Sequence, residues 1–90
     1  MGKYTITNLT NPQNDLLNRA LEDHDIYVGP RQIRTADKLA ALGLGRSYIA
    51  PGQMTGGRFT IDYDALRART TETDRRELPF GTFITATLTN

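Results

Sequence analysis

The sequence predicts a small α+β domain. Two proline-opened helical segments, one strictly alternating segment behind a glycine-rich loop, and threonine-rich alternating runs near both ends lead to that class. Ninety residues make one domain, taken as 1–90. A chain of this length buries only about two-thirds of the surface that it exposes when unfolded. With 38% apolar residues, it has enough for one core and little to spare.

Tyr4-Thr5-Ile6-Thr7 alternates large and polar side chains and reads as a short strand. At Asn11-Pro12 a helix starts: Asn11 can cap it, and Pro12 suits the first turn because its missing N–H is not needed there. The helix should run to about Asp23, with Leu16, Leu17, Ala20 and Leu21 on its apolar side. Glu22, Asp23 and Asp25 crowd the end that the helix dipole makes unfavourable for anions. That end should fray or meet a basic neighbour.

Ile26-Tyr27-Val28 is a short β-like run closed by Gly29-Pro30, and Pro30 opens a second helix. Ile33, Ala36, Leu39 and Ala40 fall within about 120° on a helical wheel and mark its buried stripe. Gly43 followed by Leu44 is the residue pair of a Schellman ending. Arg46 to Ala50 and Arg58 to Tyr63 then flank the loop from Pro51 to Gly57 as a hairpin. In its second strand Phe59, Ile61 and Tyr63 should share one face, with Arg58, Thr60 and Asp62 on the other. Asp64 can cap a short turn from Ala65 to Arg69. Thr71 to Glu77 reads as a polar surface connection, Leu78-Pro79-Phe80-Gly81 as a turn with two apolar anchors, and residues 82–89 as a last strand. The expected architecture is two main helices, a hairpin and short terminal strands, with the helix–hairpin core at about 11–66.

Charge is unevenly placed. Residues 1–29 carry two basic and four acidic groups, a net of −2. Residues 30–59 hold Arg31, Arg34, Lys38, Arg46 and Arg58 against Asp37 alone, a net of +4. Residues 60–90 return to −1, so an overall net of +1 hides a basic centre. Arginine outnumbers lysine nine to two, which favours forked contacts to phosphate or carboxylate.

Catalytic chemistry finds little here, and the chain is expected not to be an enzyme. His24 is the only histidine and there is no cysteine, so no metal or cofactor site is expected. His24 fits a surface helix residue better than a base, and Asp62 and Asp64 fit strand-end polarity and helix capping. The glycines at 43, 45, 56 and 57 lack the lysine and hydroxyl of a phosphate-binding loop. Nothing approaches the roughly 20 apolar residues of a membrane span. Met1 to Tyr4 lacks the apolar run of a signal peptide. A cytoplasmic protein is expected, in the host cytoplasm if the source is viral.

The positive feature is the second helix. Arg31, Arg34 and Lys38, at i, i+3 and i+7, fall within about 60° on the wheel, opposite the apolar stripe. Thr35 lies at the edge of that face and can donate to a phosphate. A helix buried on one side and basic on the other suits major-groove docking. Arg46 and Arg58, with Gln53 and Thr55 at the loop, would extend the contact along the backbone. The run from Arg31 through Gly43-Leu44-Gly45-Arg46, followed by the hairpin, resembles a winged-helix domain. The likeness covers about residues 11–66 and lies in the order of elements. Only Gly29-Pro30 separates the small strand from the basic helix, where such domains carry another helix. A reduced form is therefore implied, as in small phage regulators and excisionases. The resemblance implies a regulatory protein that binds duplex DNA. The alternative is a protein–protein interaction module, such as a viral inhibitor or assembly component, using its end-strand edges to add to another sheet or to a second copy.

Overall fold

The structure is a computed structural model that describes residues 3–48 and 56–89. The chain is α+β, and its described residues form six strands in two three-stranded sheets with three helices. In order these are β1 (Lys3–Ile6), α1 (Asn11–Asp23), β2 (Asp25–Val28), a 3-10 turn (Pro30–Gln32) and α2 (Ile33–Ala41). Then follow β3 (Gly45–Tyr48), β4 (Gly57–Ile61), α3 (Tyr63–Arg69), β5 (Thr70–Leu78) and β6 (Gly81–Leu88). The two main helices are α1 and α2, and the short turn expected from Ala65 to Arg69 is the helix α3, which starts two residues earlier.

Helix α1 begins one residue earlier than its proline suggests. Thr10 caps it, not Asn11: its hydroxyl accepts from the Gln13 N–H, and the Gln13 side chain accepts from the Thr10 N–H at 2.9 Å. This reciprocal pair satisfies two amides that the first turn leaves open. At the other end, His24 leaves the helix at φ 67° and ψ −56°, a strained conformation for a residue with a Cβ. The turn brings Asp25 directly into β2. Glu22 and Asp23 stay exposed, and Asp25 alone of this acidic group finds a basic partner, Arg58.

The central sheet runs β2-β4-β3, antiparallel throughout. Strand alternation gives it an inner face of Ile26, Val28, Phe59 and Ile61. Against that face sit Leu16, Leu17 and Ala20 of α1 and Ala36 and Leu39 of α2, joined by Ile6, Leu44 and Leu66. Phe59 is the largest fully buried side chain, so β4 forms the centre of the core. A Cβ at Gly45 would overlap the Thr60 carbonyl oxygen and the Phe59 ring. The absence of a side chain there lets β3 close onto β4.

The second sheet runs β1-β6-β5, with β1 parallel to β6 and β5–β6 an antiparallel hairpin. Tyr4 lies opposite Ile84, which joins the two ends of the described chain. Residues 71–77 thus form most of a strand rather than a surface connection. Each of them is exposed, so no apolar alternation marks the strand, and β6 supplies the hydrogen bonds. The turn after it is not anchored as expected: Leu78 is 43% and Phe80 68% exposed.

The two edges of this sheet differ. Along β1, Asn18 accepts from the Tyr4 N–H at 2.7 Å and donates to the Tyr4 carbonyl at 2.7 Å. Asn14 does the same for Ile6, at 2.8 and 3.1 Å. Two asparagines one turn apart on α1 thereby act as the missing neighbour strand. Along β5 the edge instead carries a bulge between Glu72 and Asp74 and the ion pairs Arg75–Glu72 and Arg76–Asp74. Bulges and charges are features that discourage pairing with other chains.

Candidate nucleic-acid interface

The basic helix is fixed at both ends. At its entry, Arg19 donates to the Gln32 side chain at 3.4 Å and to the Tyr27 carbonyl at 3.3 Å. The Gln32 side chain also accepts from the Gly29 N–H at 3.2 Å. At its exit, Leu44 N–H reaches the Leu39 carbonyl at 3.1 Å, and Gly43 N–H reaches Ala40 at 2.9 Å, with Gly43 at φ 80°. These two bonds are the Schellman ending expected from the Gly-Leu pair. Ala36 and Leu39 face the core, with Ile33 and Leu42 partly buried beside them. Leu42, which the wheel places toward the basic side, is partly buried and packs against the core.

Arg31, Arg34 and Lys38 are all exposed, and Thr35 is half-buried. The α-helix starts only at Ile33, so Arg31 belongs to the 3-10 turn before it. Arg34 and Lys38 alone share an α-helical face, one turn apart. Among the described residues none of the three forms an ion pair, whereas Arg58, Arg67, Arg75 and Arg76 each do. Local electrostatics does not favour this placement. Arg34 stands in the first turn, where the dipole repels cations, and a like-charge i,i+4 pair costs about 0.2–0.5 kcal/mol.

Arg46 and Arg58 lie elsewhere than expected. Ser47 points toward α2, donating to Asp37 at 2.8 Å. Its strand neighbours Arg46 and Tyr48 therefore leave by the opposite face of the sheet. Arg58 shares that outer face, bound through Nε and Nη2 to the Asp25 carboxylate at 3.2 Å. Thr60 donates to the same carboxylate at 3.1 Å. Arg58 beside Asp25 holds that carboxyl below the usual carboxylate range. Neither arginine extends the α2 face. Gln53, like Thr55, lies outside the described residues.

The outer sheet face brings together residues that the charge pattern alone did not single out. Strand register aligns Tyr27, Arg58 and Tyr48 in one row, and Asp25, Thr60 and Arg46 in the next. Tyr27 is 55% and Tyr48 59% exposed. Beyond the second row a cleft of about 510 Å³ is lined by His24, Arg46, Thr60, Asp62, Tyr63, Asp64 and Arg67. Tyr63 is also exposed and does not continue the buried face of Phe59 and Ile61, because the strand ends at Ile61. Its ring stacks on His24, with centroids 5.4 Å apart, and its hydroxyl donates to the Leu21 carbonyl at 3.2 Å. The cap of α3 is Asp62, which accepts from the Ala65 N–H at 3.0 Å, while Asp64 pairs with Arg67. The tyrosines were legible in principle: Tyr27 alternates with Ile26 and Val28, and Tyr48 stands two residues from Arg46.

No group of three or more His, Asp or Glu able to hold a metal ion occurs among the described residues. No helix among them is long and apolar enough to cross a membrane. No protein-family model, curated protein or solved structure matches this chain.

Proposed function

We propose that this protein is a small regulator that binds duplex DNA through α2 and the turn leading into it. The observation that carries the reading is the set of Arg31, Arg34 and Lys38, exposed and without an ion pair on an element anchored from behind. Cations held against the preference of the helix need a reason beyond stability, and phosphate or guanine edges supply one. The order helix, strand, helix, hairpin, with sheet order β2-β4-β3, supports a winged-helix-like mode of docking. The 3-10 turn at Pro30–Gln32 occupies the position of the additional helix in larger relatives of that type. In this reading Arg34 and Lys38 face the groove, Arg31 takes a flanking phosphate, and Thr35 donates from the margin.

Mobility shift on mixed-sequence duplex DNA tests this. Binding that Arg31→Ala plus Arg34→Ala removes, with the fold unchanged by circular dichroism, is the expected outcome. Absence of a shift at about 50 mM salt, where phosphate contacts are strong, overturns it.

A second reading, an interaction module for another protein, is favoured by one observation: the exposed tip of the β5–β6 hairpin, with Leu78 and Phe80. A partner lost on Phe80→Ser while the duplex shift persists would assign the hairpin a separate role.

A further inference from the structure

The outer face of the β2-β4-β3 sheet is a second surface, on the side away from α2. Of the five large hydrophobic side chains that stand exposed among the described residues, three are tyrosines placed along it: Tyr27, Tyr48 and Tyr63. They alternate with guanidinium groups. Arg58 lies in register between Tyr27 and Tyr48, and Arg46 lies two residues along β3, lining the same cleft as Tyr63. Strand geometry puts the two tyrosine-bearing strands about 9.5 Å apart, and the next row about 6.8 Å further along.

The electrostatics follow from the pairings. Asp25 is occupied by Arg58 and Thr60, so its charge is paired and it holds the guanidinium through Nε and Nη2. Arg46 has no ion pair among the described residues, and of the two carboxylates in its cleft Asp64 is paired with Arg67 while Asp62 caps α3. At one end His24 holds a strained backbone, and its ring lies nearly parallel to Tyr63, at 14°. This strip interleaves aromatic faces with guanidinium groups, which suits successive bases and the phosphates between them.

We infer that the outer face of the β2-β4-β3 sheet binds single-stranded nucleic acid, with unpaired bases stacking on Tyr48, Tyr27 and Tyr63 and the backbone passing Arg46. Tyrosine accepts any base because each presents a π face, so the site tolerates sequence. Arg58 continues the stacking plane between the two rings rather than acting as the main phosphate ligand. The surface is separate from the duplex site proposed on α2 and does not require it.

Fluorescence anisotropy of a labelled twelve-residue oligothymidylate, set beside the duplex shift, distinguishes the two. The chain has no tryptophan, so stacking also registers as quenching of tyrosine emission. Tyr48→Ala is expected to weaken oligothymidylate binding about 5- to 100-fold, in keeping with loss of one stacked base. Tyr48→Phe keeps the ring and should bind as the parent does. Arg31→Ala plus Arg34→Ala should leave oligothymidylate affinity within about two-fold, whatever it does to duplex binding. The inference is overturned if the oligomer fails to bind, if an abasic sugar-phosphate strand binds equally well, or if the helix variant abolishes oligomer binding. Duplex binding without oligomer binding leaves the α2 reading intact. Oligomer binding without duplex binding leaves this one.

Discussion

Asn14 is the only buried polar residue among those described, and both ends of its amide are used on Ile6. Replacing it with alanine strands an N–H and a carbonyl on a fully buried residue. Asn14→Ala is therefore expected to destabilise the fold by about 2–3 kcal/mol in urea titration, and Asn18→Ala by less because Tyr4 is only partly buried. Asp25 is a different case, an exposed carboxylate kept below its ordinary range by Arg58. A lowered folded-state pKa means that its contribution is complete above the unfolded value, about 3.9, and is lost as pH falls through the folded one. The stability difference between the parent and Asp25→Asn should be present at neutral pH and vanish in acid. The partnership was not legible beforehand. Asp25 and Arg58 lie far apart in sequence, and only the β2–β4 register makes them neighbours.

At the scale of elements, α2 was the most legible part because its apolar stripe and its Gly-Leu exit agree, although Pro30 opens the 3-10 turn before it and not the α-helix itself. Its Gly43 is a direct test. With φ at 80° and the Arg69 guanidinium where a Cβ would go, Gly43→Ala should cost about 1–2 kcal/mol by chemical denaturation. Strand β5 was the least legible. Alternation appears only where one face is buried, and β5 has no buried residue, so its pairing with β6 left no trace in the pattern. The basic face was only half legible for a related reason. A helical wheel assumes one period throughout, while the chain before Ile33 runs as a 3-10 turn, so Arg31 stands outside the α-helix that carries Arg34 and Lys38.

For the whole molecule, the proposed function divides the cations into those spent on ion pairs and those left for a ligand. Three cations from α2 and its turn, each displacing one counterion from the duplex, predict that the logarithm of duplex affinity falls with the logarithm of salt at a slope of about −3. Arg31→Ala plus Arg34→Ala should remove about two of that, while Arg75→Ala, from an existing pair on the far sheet, should leave it unchanged. Composition pointed to the basic centre but not to its division by the sheet. The +4 of residues 30–59 is shared between two opposite faces, and no count along the chain separates them.

The parallel pairing of β1 with β6 also imposes an order on synthesis. Tyr4 waits for Ile84, so 80 further residues must be made before β1 gains its strand partner. At about 5–20 residues per second, the ribosome takes roughly 4–16 s to supply them. Through that interval only the asparagine side of β1 can be satisfied, because α1 emerges directly after it. The first strand is thus among the last to gain a sheet partner, although its helix-side hydrogen-bond partners are among the first residues made.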